Sequence, residues 1–344
     1  LMQEKKFTYI ASGSLLGVTL KKTQSVPMGS LDVEHMYPMD FEEFLIANGV
    51  GTTAIDAMRE CFNGLEALSE SMHNKMLDLF KKYLIVGGLP KAVETFIDSR
   101  NIVEIRSVQN EVHDLYEVDC TKYEGEHNRR LKIRRIYEMV PSTLENKKKR
   151  VVIKDIENKS WKRADSYIEE FDYLISAGIT LEVKAISKPS YPLIENSGKN
   201  LLKLYLNDVG ILSALYYRNN IKAIIDDIRS INLGSVYETV VAQELKAHGY
   251  NLYYYDNKKN GEVDFLIDDA DNLSNIPLEI KSGKDYSIHS ALTRFLAMDE
   301  YNIKKAYVLS NERKVYSDGG ITYIPIYYVM FFENISNVVE TFID

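Results

Sequence analysis

The amino-acid sequence predicts an α/β fold spread over several domains, helical in its middle and closing in a hairpin. Three observations carry this. A chain of 344 residues is long for one domain and suits two or three. Apolar residues recur at helical spacing through the middle of the chain, as in Leu131, Ile133, Ile136, Tyr137 and Val140, and again in Tyr167, Ile168, Phe171, Leu174 and Ile175. Near the end, two short apolar runs flank an acidic, Asn-rich turn, the pattern of a hairpin.

Taken in order, residues 6–11 read as a strand leading into the Gly/Ser loop 12–17. A lone strand is unstable without partners. Gly87-Gly88-Leu89-Pro90 reads as a turn between two helices. The stripe from Leu131 is expected to end before Pro141, because proline lacks the N–H a helix needs. The run 151–156 follows, then a helix at 166–177 with Gly178 as its C-cap. Strands at 179–186 and 203–206 complete a set of helices followed by a hairpin, the layout of a winged helix. Residues 239–248 form a helix with Val240, Val241 and Leu245 on its apolar side. The final hairpin pairs 261–267 with 277–281 across the turn 268–275. Tyr253-Tyr254-Tyr255 and Tyr327-Tyr328 are expected in the core and on the sheet surface.

Composition is that of an ordinary soluble globular protein, 45% hydrophobic and 27% charged. No run approaches about 20 uninterrupted apolar residues, and the N-terminus lacks a signal-peptide pattern; no membrane association is expected. Cys61 and Cys120 form no CxxC, which suits a reducing cytoplasm. The six histidines show no metal-binding spacing, so a zinc site is not expected. Charge is uneven. Residues 234–344 hold 17 acidic and 10 basic residues, leaving 33 and 32 for the rest. The acidic end is poorly suited to gripping a phosphate backbone alone. The stretch 129–150 carries nine basic and two acidic residues; with Arg129, Arg130, Arg134 and Arg135 there, and Lys184, Lys188, Lys199 and Lys203 on or near the wing, DNA contact is one reading and a solvated charged face the other.

The most chemically suggestive group is Glu238, Asp264, Glu279 and Lys281. Alternation along a strand puts Glu279 and Lys281 on one face. A normally twisted hairpin sets Asp264 beside Glu279, and the helix after Gly234 brings Glu238 within reach. Two carboxylates with open positions, Asp264 and Glu279, are what Mg²⁺ needs to activate water, while Lys281 adds a compact positive charge. The plainer alternative is an exposed hairpin on which Glu279 and Lys281 merely pair.

The order of helix Glu, then Asp, then Glu-x-Lys resembles the PD-(D/E)XK nuclease core, with Glu262-Val263-Asp264 in place of its Pro-Asp pair. A second resemblance covers essentially the whole chain. Residues 9–17, 26–30 and 37–45 resemble the late part of an AAA-type ATPase core, residues 83–93 the lid of the same family, and residues 204–212 its next segment. The family is that of prokaryotic ATPases joining such a core to a winged-helix and nuclease-like C-terminal region of unknown function.

That resemblance implies an AAA core remnant at 1–50, a helical lid at 51–128, a winged helix at 129–217 and a restriction-endonuclease-like domain, a mixed sheet flanked by helices, at 218–344. It implies that the Walker A and Walker B motifs precede Leu1, that Ser12 and Ser14 match a nucleotide sensor, and that ATP binds only in a longer parent protein. No G-x-x-x-x-G-K-[ST] occurs in the sequence, so this chain is not expected to hydrolyse ATP. Met28-Gly29-Ser30 stands where the family often carries an arginine.

Two functional classes remain at this point. One is the C-terminal portion of a regulatory or DNA-associated ATPase whose nuclease-like domain serves recognition or docking, with DNA, a protein partner or a second copy as partner. The other is a Mg²⁺-dependent DNA endonuclease, with Asp264 and Glu279 on the metal, Lys281 stabilising charge and Glu238 orienting water or a second metal.

Overall fold

The computed structural model describes residues 10, 13, 33–119, 127–146, 149–151, 167–226, 228, 231–283 and 289–334, with only the backbone for 119 and 196–201. Residues Ser12 and Ser14, most of the 6–17 run and most of the 151–156 run lie outside the described residues. No helix among those described is long and apolar enough to cross a membrane.

The helical part begins with α1 (Phe41–Ala47), opened by a capping box in which Asp40 and Glu43 satisfy each other's backbone N–H groups. Next come α2 (Thr52–Asn63) and α3 (Glu70–Val86), which starts on Ser69 and stops at Gly87, where φ is +74°. The turn expected at 87–90 is there, with Pro90 opening α4 (Pro90–Ser99). Two long helices follow, α5 (Ile102–Asp119) and α6 (His127–Glu145).

Pro141 does not end α6 as expected; it lies inside the helix. Val140, Thr143 and Leu144 are buried around it and the Tyr216 hydroxyl donates to its carbonyl at 2.6 Å. Tertiary packing thus holds a last turn that local propensity disfavours.

Helix α7 (Ile168–Ser176) ends at Gly178, φ +71°, as its sequence signals. The expected hairpin is β1 (Thr180–Ile186) paired antiparallel with β2 (Ser197–Leu206), then α8 (Val209–Tyr217), capped by Asp208, and α9 (Lys222–Ile225). The last part runs α10 (Gly234–Ala247), β3 (Leu252–Asn257), β4 (Gly261–Asp269), β5 (Ser274–Lys281), α11 (Ser290–Leu296), β6 (Tyr307–Ser310), β7 (Tyr316–Asp318) and β8 (Ile321–Pro325). Tyr327 and Tyr328 are buried, but in a 3₁₀ turn (Ile326–Phe331) and not on a strand.

The eight strands among the described residues form one mixed sheet in the order β2-β1-β3-β4-β5-β6-β8-β7. The hairpin expected as a wing is therefore its first two strands: β1 pairs parallel with β3, Val183 beside Leu252 and Ala185 beside Tyr254. Helix α10 covers one face through Val236, Val240, Val241 and Leu245, over Val183, Tyr254, Phe265 and Leu278. The other face carries α11, with Leu292 and Phe295 on Tyr253, Tyr255, Val263 and Leu266. The first core continues into the helical part through Phe41, Phe80, Tyr83 and Tyr237.

Candidate functional site

The site is built where β4 departs from regular pairing. Tyr253 sits opposite Leu266, but Tyr255 sits opposite Val263, so Asp264 and Phe265 together face the single residue Tyr254. This is a β-bulge, a device that re-aims side chains. Its effect is visible in the packing: Val263 belongs to the α11-side core and Phe265 to the α10-side core, although two residues apart on a regular strand would share a face. Beside the bulge, the β4–β5 ladder runs from Asp269 and Ser274 to Phe265 and Leu278. Past that point the Asp264 carboxylate itself accepts the Ile280 N–H, at 2.8 Å.

Glu238 enters from α10, 6% exposed. One carboxylate oxygen accepts the Tyr205 hydroxyl at 2.8 Å and the other pairs with the Lys149 ammonium. Burial pushes its carboxyl up, but Lys149 and Lys203 outweigh burial and hold it below the ordinary range. Asp264 goes the other way. Burial, then the charges of Glu279 and Glu238, push its carboxyl well above the usual carboxylate range.

Lys203 was expected on an exposed wing, where it could meet phosphates. It is instead fully buried: α6 and α10 cover that face of β2, its ammonium lies 2.6 Å from Glu262, and it stands 4.5 Å from the centre of the Tyr254 ring. Burial works against its charge, yet Glu238, Glu262 and Asp264 together raise its affinity for the proton. Arg150 reaches the same cluster, pairing with Asp256 and lying 3.8 Å from Glu262.

On β5, Glu279 and Lys281 project together and pair at 2.8 Å. The second Glu279 oxygen, Oε2, is buried without a hydrogen-bond partner. Burial pushes this carboxyl up and Lys281 only partly offsets it. Among the described residues, no group of three or more His, Cys, Asp or Glu side chains is arranged to hold a metal ion.

Residues 233–329 match a domain of unknown function, DUF4143. This stretch runs from the start of α10 to the 3₁₀ turn, and so contains Glu238, Asp264, Glu279 and Lys281. DUF4143 is often found in AAA ATPase-associated proteins. Residues 77–223, from the second half of α3 to α9, match another domain of unknown function, DUF8612. No curated protein and no solved structure matches the chain. The two matched stretches contribute to one sheet: β1 and β2 come from the DUF8612 stretch and β3 to β8 from the DUF4143 stretch, and Lys203 and Tyr205 of the first meet Glu262 and Glu238 of the second.

The basic residues expected to meet DNA are partly occupied within the chain. Arg129 lies 3.2 Å from Glu169, Lys132 3.9 Å from Glu170, and Arg134 pairs with Glu117 and with Glu138, the latter at 2.9 Å. Lys184 pairs with Glu182 at 3.1 Å, while Arg130 is half-buried and Arg135 and Lys188 are exposed. Sequence reading missed Tyr205, Asp256 and Glu262 as members of the site, and assigned Lys149, Arg150 and Lys203 to a nucleic-acid surface. Their only local signal is alternation: Lys203 and Tyr205 share a face of β2.

Proposed function

We propose that this chain is the recognition or docking portion of an AAA ATPase-associated regulatory protein, and that its nuclease-like core works as a scaffold without cleaving nucleic acid. The observation that carries this is the position of two ammonium groups. Lys149 and Lys203 stand among Glu238, Glu262 and Asp264, where Glu238 would otherwise orient water or a second metal beside Mg²⁺ on Asp264 and Glu279. Both Glu238 oxygens are taken, and a divalent ion entering there meets cations already compensated by the carboxylates. As the side chains stand, Glu238 has no oxygen free to join a Mg²⁺ site. The acidic balance of residues 234–344, 17 against 10, and the intrachain pairing of Arg129 and Arg134 point the same way, since a phosphate contact by either arginine would first break an ion pair.

One observation favours the nuclease reading. The unpartnered Glu279 Oε2 and the neighbouring Asp264 are two carboxylates that a cation would relieve; in that reading they hold Mg²⁺ and Lys281 stabilises the transition state. DNA incubated with the protein and Mg²⁺ or Mn²⁺, alongside Lys281→Ala and Asp264→Ala, separates the two. The expected outcome is no cleavage above background in any of the three. Cleavage by the native protein that both substitutions abolish establishes the nuclease instead.

A further inference from the structure

His248 stands at the end of α10 as its C-terminal cap, and both of its ring nitrogens meet acceptors. Nδ1 lies 2.8 Å from the Phe332 carbonyl oxygen, just past the 3₁₀ turn, and Nε2 lies 3.4 Å from Asp40 Oδ2. The other Asp40 oxygen, Oδ1, accepts the Glu43 N–H at 2.8 Å and so caps α1. A single carboxylate therefore caps one helix and reaches the end of another. The turn that carries Phe332 is held to the same corner by its neighbours: the Tyr250 hydroxyl donates to the Glu333 carbonyl and the Asn334 side-chain amide to the Gly249 carbonyl, both at 3.0 Å.

A neutral imidazole has one N–H and presents a lone pair at its other nitrogen. Set between a carbonyl and a carboxylate, that lone pair is repelled from whichever acceptor it meets, and only the imidazolium donates to both. Its place at a helix C-terminus favours the positive charge as well, because the last carbonyls of α10 point toward it. The charged and titratable groups gathered round this corner, among the described residues, are Asp40, Glu42 on α1, Arg59 on α2, Tyr83 on α3, Glu244 on α10, Tyr250 and Glu333. Arg59 pairs with Glu42 and Glu333, and Tyr83 donates to Glu244. Lys246 has Glu182 and Lys184 as its charged neighbours instead. Burial works against the His248 charge, but Asp40 and Glu244 outweigh it and raise the ring's affinity for the proton.

We propose that His248 is a pH-sensitive clasp: its imidazolium ties the start of α1 and the turn at Phe332 to the end of α10, and the neutral ring holds only one of the two. A proton held more tightly by the folded chain than by the unfolded one contributes stability that is full below about pH 6.5 and is lost as pH rises through the folded-state value. The clasp is closed on the acid side and opens on the alkaline side. The Arg59 bridge between Glu42 and Glu333 is a second tie across the same junction, so opening loosens α1 without releasing it. The clasp goes beyond the docking reading and does not depend on it, since none of its residues belongs to the Glu238 site.

The test follows the His248 Cε1 proton of the native protein by NMR as pH is raised. Its midpoint is expected above about 6.5, and Asp40→Asn is expected to lower it. A midpoint at or below about 6.5 overturns the clasp, and so does one that Asp40→Asn leaves in place. Opening itself is read by hydrogen exchange of residues 41–47 and 326–334, corrected for the intrinsic rate, in Glu244→Gln, which removes the other carboxyl that titrates near this corner. Exchange is expected to be about ten-fold faster at pH 9 than at pH 6, the loss of one hydrogen bond to a charged group, and the increase is expected to vanish in Glu244→Gln/His248→Gln. Exchange that ignores pH in the single variant, or that keeps its full increase in the double one, overturns the clasp. The native titration needs no substitution, so its midpoint decides even where a variant fails to fold.

Discussion

Glu244 shows how one buried residue couples the parts of this molecule. It is fully buried on α10, and one of its oxygens accepts from the Phe41 N–H and the Tyr83 hydroxyl, both at 2.9 Å. Burial, with Asp40's charge behind it, pushes its carboxyl up to about 8, against partial relief from His248. A folded-state value above the ordinary carboxyl range means that the folded protein holds this proton more tightly than the unfolded chain. Its contribution is full at acid pH and is lost as pH rises toward about 8. Glu244→Gln keeps the acceptor and removes the titration. The variant's melting temperature relative to the native protein's is expected to climb between about pH 5 and about pH 8.5; a constant difference would refute the assignment. At this scale the sequence was informative about Glu238, Asp264, Glu279 and Lys281, because their order and strand alternation are local. It was silent on Lys203 because an alternating strand looks the same whether its polar face meets water or, as here, α6 and α10.

Among the elements, the bulge in β4 and the close approach of α8 to α3 matter most. Gly210 on α8 lies against α3: a Cβ there would sit 2.4 Å from the Val86 carbonyl oxygen and 2.6 Å from the Gln109 amide nitrogen. The contact also seats Arg106, whose guanidinium bonds the Ile85 carbonyl at 2.9 Å and the Ser213 hydroxyl at 3.0 Å. Gly210→Ala is expected to lower stability by about 1–3 kcal/mol, the usual range for over-packing a filled interior, as read from denaturant midpoints. Helix existence and the two hairpins were legible from periodicity and turn residues. The extent of α6 beyond Pro141 was not, since burial of Val140, Thr143 and Leu144 comes from elements distant in sequence. The bulge at Asp264 was equally hidden, because it is defined by what β3 places opposite.

For the whole molecule, the continuous sheet and the core shared by helices and sheet predict cooperative unfolding. Residues 77–223 and 233–329 exchange strand pairs along β1 and β3, and the α10-side core runs from Phe41 to Phe332. Scanning calorimetry is expected to show one transition for both stretches; two resolved transitions would mean that the β1–β3 seam is weaker than its pairing indicates.

The sequence by itself determined the α/β class, the order of helices and hairpins and the uneven charge, and it singled out Glu238, Asp264, Glu279 and Lys281 as a group, all of which rest on spacing of a few residues. Only the tertiary structure decided that the wing hairpin joins the main sheet, that Lys203 lies buried among carboxylates and that Lys149 and Arg150 turn in toward them. The physical reason is that partners for strand edges and for buried charges are chosen by long-range packing, where burying an unpaired charge is costly enough to decide which segment covers which.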